Sequence, residues 1–202
     1  MASSAEARQR LLEAAITTLA VEGHGGTTER SIARTGGFAP EVIYMHFDDL
    51  EALFVAAVRH ISQAQKARYE EALGSCVDAT QLLSRLRELY AEDMRDQGYI
   101  DAIQELFTAS SSSPRLREEL LTHVESWSEF ATTAIGRLVQ GTTFDGLVPA
   151  RDLGMLAVAM FLGVQTLIRL DGDRSRIESL FTTAEPAAVL WDAFSGVRRT
   201  DP

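Results

Sequence analysis

In the stretch "VIYMHFDDLEALF", Tyr44, His46 and Phe47 precede Asp48 and Asp49. The first three are side chains that could grip a partner. The two acids would repel that partner if it were a phosphate, so the segment poses a choice between nucleic-acid contact and its loss. Enzymatic chemistry has no comparable focus. His24, His46, His60 and His123 are scattered, and none stands with Cys76 or a carboxylate at metal-ligand spacing. No glycine-rich phosphate loop is present. The run "SSSS" before Pro114 reads as a loop and not as a nucleophile elbow. Glu70-Glu71 and Glu118-Glu119 are adjacent on helical patterns, so the members of each pair diverge and are expected to face solvent. No catalytic residue, metal or cofactor is expected.

The elements that must position residues 28–47 are short helices. Residues 6–22 carry Leu11, Leu12, Ala15, Ile16, Leu19 and Ala20 on one face, a one-sided helical stripe ended by "GHGG". Thr28 suits the N-cap of "ERSIART", which Gly36-Gly37 stops. "FAPEVIYMHF" reads as a third short helix with Pro40 in its first turn. Asp48 then caps a fourth helix that runs to Leu73, with Glu51 completing a capping box. The acids at 48 and 49 therefore have a local task, because carboxylates favour a helix N-terminus. Three short helices with a tight turn between the second and third make a helix-turn-helix, whose last helix fits the DNA major groove. Ala33, Gly36, Gly37 and Ala39 permit a close crossing. Ile32, Phe38, Val42 and Ile43 are the candidates for holding it.

Residues 8–54 resemble the tetracycline-repressor (TetR) family of bacterial regulators. The resemblance is carried by "RLLEAAITTLAVEG", "TTERSIARTGG", "VIYMHF" and "EALF" in that order. It implies an all-helical homodimer whose C-terminal domain binds a small molecule that releases the protein from operator DNA. Carried over position by position, it implies that Thr28 touches a phosphate. Ala39, Pro40 and Glu41 would face base edges, and Tyr44 and His46 would reach the backbone. Arg30 and Arg34 are expected to face solvent, with DNA as one partner. Each has a plain alternative: Tyr44 packing on the first helix, His46 bonding locally, Phe47 lying in the core. The chain departs from the family pattern at Ala39, Glu41 and Leu50, the last replacing a lysine at the head of the fourth helix. Residues 1–60 hold five arginines (8, 10, 30, 34 and 59), no lysine and eight acids, so 5 − 8 gives −3. Phosphate contacts supply much of a DNA binder's affinity. Three outcomes follow: weak operator binding, reliance on Arg8, Arg10, Arg30 and Arg34 with neutral donors, or loss of DNA binding.

The remainder reads as helices over 80–96, 100–109, 114–140, 150–170, 174–181 and 185–198, giving an all-α chain with a head at 5–65 and a larger domain at 66–200. "RDLGMLAVAMFLGVQTLIRL" is apolar almost all round, so it must be covered on more than one side. With the helix at 185–198 it is the candidate dimer interface, through Gly154, Ala157, Phe161, Gly163, Trp191 and Phe194. An intrachain core is the alternative. Tyr69, Tyr90, Met94, Tyr99, Phe107, Trp127, Phe130, Met155 and Gln165 are candidates for a largely apolar effector pocket, or else plain core.

Composition is compatible with this reading. The net charge of −10 argues against a general nucleic-acid coat but permits a dimer with a small basic face. A lone cysteine excludes an internal disulfide and fits a reducing cytosol. The N-terminal residues lack an apolar signal core, and no run of about 18 apolar residues occurs. A cytoplasmic protein is expected. The rival to the regulator is an all-α ligand-binding protein that keeps a relic head and acts through protein partners.

Overall fold

The computed structural model describes residues 4–95 and 98–195. Among them are eight α-helices, one 3-10 helix and no strand. The helices are α1 (Ser4–Gly26), α2 (Glu29–Gly36), α3 (Leu50–Leu73), α4 (Ala79–Asp93), α5 (Gly98–Ala109), α6 (Pro114–Val139), α7 (Ala150–Asp171) and α8 (Ser175–Phe194). The chain divides into two compact units, Met1–Lys66 with Asp93–His123, and Ala67–Glu92 with Val124–Pro202. The first unit thus takes in α5 and the start of α6, which the sequence reading assigns to the larger domain.

The first unit is built on the stripe foreseen for α1. Leu11, Ala15, Ile16 and Leu19 are buried and meet Leu53, Ala57, Val58 and Ile61 of α3 and Ala102 and Leu106 of α5 in one apolar cluster. α1 extends beyond the expected stop because the chain kinks at Gly23 (φ 70°) and resumes helical geometry. The kink leaves the His24 amide without its helical acceptor, and it donates instead to Glu105 Oε2 of α5 at 2.7 Å.

In the second unit, α7 packs close on α6. A Cβ at Gly154 would lie 2.5 Å from Thr132 Oγ1 and 2.8 Å from the Ser128 carbonyl oxygen, so only glycine permits this approach. α8 is one helix, not the two expected at 174–181 and 185–198. Pro186 lies inside it, and two contacts with α4 hold its halves in line. Arg87 pairs with Glu178 and Glu185, one on each side of the break. Asp192 accepts from the amides of Ala79 and Thr80 at 2.8 and 3.0 Å and so caps α4. Residues 96 and 196–198 of the expected helices lie outside the described residues.

α7 is 22 residues long, and its most apolar 18-residue window has a mean hydropathy of 1.8, enough by length and composition to cross a membrane, with 17% of that window buried. Leu153, Met155, Leu156, Met160 and Leu167 are exposed along it. Among the described residues α7 is covered at Gly154 by α6 and at Gln165 by Tyr90, and these five side chains are left uncovered.

Candidate nucleic-acid interface

The turn between α1 and α2 is locally over-determined. Thr28 is extended (φ −122°, ψ 166°) and its hydroxyl accepts from the Ser31 amide at 3.2 Å. The Ser31 hydroxyl accepts in return from the Thr28 amide at 2.8 Å, a capping box with serine in place of the usual acid. α2 ends at Gly37 in the left-handed region (φ 67°). Gly36 is required beside it, since a Cβ there would lie 1.9 Å from the Phe38 ring. Ile32 and Ile43 are fully buried, and Phe38 and Val42 pack half-buried on the same core. These are the four residues expected to hold the crossing.

The third element, the short helix expected over 38–47, is a 3-10 helix confined to Pro40–Met45. Pro40 opens it, and it closes with the His46 and Phe47 amides both donating to the Ile43 carbonyl, at 3.0 and 2.9 Å. The cap of α3 is Asp49, not Asp48. Its carboxylate accepts from the Ala52 amide at 2.6 Å, and its carbonyl accepts from the Leu53 amide. Glu51 does not close a capping box; it accepts a hydrogen bond from the Ser113 hydroxyl.

With the core side buried, Thr28, Arg30, Arg34, Ala39, Glu41 and Tyr44 are exposed, and Pro40 and His46 are half-exposed. Their polar groups are partly engaged. The Tyr44 hydroxyl donates to Glu29 Oε1 at 2.7 Å. That bond holds the Glu29 carboxyl below its usual range and pushes the Tyr44 phenol up. Tyr44 therefore neither packs on α1 nor stands open; it lies against α2. Arg34 pairs with Glu22 at 2.6 Å, and Arg10 donates to the Gly36 carbonyl at 3.1 Å. The Arg8 guanidinium lies 4.9 Å from the Phe47 ring centroid. Phe47 is buried and Leu50 is half-buried on the core.

The nine candidate effector residues fall into separate places. Tyr69, Trp127 and Phe130 form a chain of perpendicular rings, with centroids 5.2 and 5.7 Å apart. Burial pushes the Tyr69 phenol up to about 12. Tyr90 touches Phe161 and Phe181 and accepts a hydrogen bond from Gln165 Nε2 at 3.1 Å, with Gln165 itself buried. These five belong to the second unit. Met94, Tyr99 and Phe107 belong to the first: Phe107 and Tyr99 pack on its core, and the Tyr99 ring stands edge-on to His60. Met155 is exposed on α7. Phe181, on α8, is a neighbour the sequence reading missed; its helical spacing alone did not set it apart from core.

Of the six candidate interface residues, Gly154 is corrected, being buried against α6 of its own chain. Trp191 is half-buried with its ring 4.9 Å from that of Phe144. Gly163 and Phe194 are exposed, Ala157 is half-exposed, and Phe161 is partly exposed beside Tyr90. Glu119, expected to face solvent, pairs with Arg59 at 2.6 Å and its side chain is only 12% exposed. Among the described residues no group of three or more metal-ligating side chains comes together.

No family model matches the sequence, and no curated protein matches it at a significant level. Solved structures do. A TetR-family transcriptional regulator from Cytophaga hutchinsonii superposes with a TM-score of 0.76 at 18% identity, covering 98% of this chain and 99% of that one. A TetR-family member from Streptomyces coelicolor is 25% identical over 88% of this chain and 97% of its own, with a TM-score of 0.62. A transcriptional regulator from Saccharomonospora viridis, solved in complex with choline, is 23% identical over 90% of this chain and 96% of its own, with a TM-score of 0.74. The chain has the fold of the TetR-family transcriptional regulators.

Proposed function

We propose that this protein is a TetR-type transcriptional repressor that binds palindromic operator DNA as a homodimer and is released by a small, largely apolar effector. The observation that carries the reading is the two-sided helix-turn-helix. Ile32, Ile43 and Phe47 are buried beneath it, while Thr28, Ala39, Glu41 and Tyr44 are exposed on it. A motif kept only for folding has no need of an exposed, rigidly capped outer face.

The exposed apolar side chains of α7 and α8, among them Met160, Leu167, Val189 and Phe194, are the surface a second copy would cover. The Tyr90–Gln165 pair offers an effector a polar handle among aromatic rings, and a relative of the same fold binds choline, a small organic molecule. Binding there acts by population shift, favouring a dimer whose two reading elements no longer match successive major grooves. The role assigns no catalysis to the chain and places it in the cytoplasm.

The relic-head reading is favoured by one observation: Arg8, Arg10 and Arg34 are each engaged by the protein itself. Selection from a random duplex library at low salt separates the two. The repressor enriches an inverted repeat. A relic head enriches nothing and binds no duplex above the non-specific level.

A further inference from the structure

The α5–α6 connection, "SSSS", and the first turn of α6 that follows it are a built structure beside the N-terminus of α3. Ser113 donates to Glu51 of α3, and its hydroxyl also accepts from the Leu116 amide at 3.0 Å, capping α6. Arg117 folds back to donate to the carbonyls of Ser110 and Ser111 at 3.2 and 3.0 Å. Arg59 of α3 reaches across to Glu119 at 2.6 Å. The connection is therefore held to α3 through Ser113, and the start of α6 through Glu119, all within the first unit.

On this support stands Arg115. Its Nη1 lies 3.7 Å from Asp49 Oδ1, an ion pair too long for a hydrogen bond, and half of its side chain is exposed. Asp49 is meanwhile committed to the cap of α3 through Ala52. Asp48 and Asp49, both exposed, lie between the 3-10 helix that carries Tyr44 and α3, next to position 50, where the family resemblance implies a phosphate contact. Leu50 cannot offset their charge, because it is apolar and packs on the core. The half-exposed Arg115 guanidinium beside Asp49, which makes no hydrogen bond to the described residues, can offset it, and its planar fork suits a phosphate.

We propose that Arg115, supplied from the first turn of α6, is a DNA-phosphate contact of the head. This rests on the DNA-binding reading above. The contact is sequence-independent, adds one released counterion per subunit, and ties operator affinity to the placement of the first turn of α6.

The test is the salt dependence of duplex binding by the full chain, for the wild type, Arg115→Gln, and Arg85→Gln as a control. Arg85 lies in the other unit and pairs with Glu88 of its own helix. Arg115→Gln is expected to weaken binding to operator and random duplex by the same factor, and to flatten the slope of log affinity against log salt by roughly 0.9 per subunit. Arg85→Gln should leave the slope unchanged. An unchanged slope in a folded Arg115→Gln protein, or a loss confined to the operator, overturns the contact. A wild type with no salt-dependent binding at all sinks the DNA-binding reading itself.

Discussion

Glu29 and Tyr44 show how the head manages charge at the level of single side chains. Glu29 opens α2, where a carboxylate is favoured by the helix dipole, and it holds the Tyr44 hydroxyl. A phosphate approaching Tyr44 must displace that carboxylate. Glu29→Gln should therefore raise affinity for any duplex several-fold at low salt, with the gain fading as salt rises. Anisotropy titrations at several salt concentrations check this. Leu50→Lys should steepen the salt slope by roughly 0.9 per subunit, because the lysine stem can keep the half-buried packing while its ammonium reaches out. His123 is a different case. It is buried, and burial depresses its imidazole from 6.5 to about 4, partly opposed by Glu119. A base whose folded value is lowered binds fewer protons folded than unfolded. Its stabilising share is complete above pH 6.5 and is lost as pH falls from there towards 4, by about 3 kcal/mol in all. Urea midpoints should fall over that window in the wild type and fall less in His123→Gln.

Helices were legible from the sequence wherever one apolar face or one cap decided them. The stripe on α1, the Thr28 cap and the Gly36-Gly37 stop all appear where their physics put them. Elements settled by distant partners were not legible. Pro186 signals a break, yet Arg87, Glu178, Glu185 and Asp192 carry α8 through it. Asp48 and Asp49 are equally good caps locally, and the tight close of the 3-10 helix at Phe47 hands the role to Asp49. The outer face of the head follows from the buried positions beneath it, whereas the Tyr44–Glu29 and Arg115–Asp49 pairs join residues that no helical period relates. Likewise Gly154 and Gly163 look alike in sequence but differ in surroundings. Gly154→Val should destabilise the chain by on the order of 2–4 kcal/mol, because its side chain meets the Thr132 hydroxyl and the α6 backbone at Ser128 and Thr132. Chemical denaturation checks that cost. Gly163 has open space where a Cβ would stand, so Gly163→Arg should leave the fold intact and act only between chains.

The whole molecule must hide the apolar length of α7, and the pairing of two chains is the proposed means. Sedimentation should show a dimer for the wild type and a folded monomer for Gly163→Arg, which would leave a charge in a close contact. A thermal-shift screen should favour small apolar or aromatic compounds, since binding to the native state raises its stability by mass action. Dimer and reading heads meet in one requirement: the two 3-10 helices must reach successive major grooves on one side of the duplex. The most direct test takes the inverted repeat selected from the random library and inserts five base pairs between its halves. That is about half a helical turn and puts the half-sites on opposite faces. The account predicts that affinity falls to the non-specific level while each half-site stays intact. Binding that ignores the insertion would contradict a dimeric operator-reading protein.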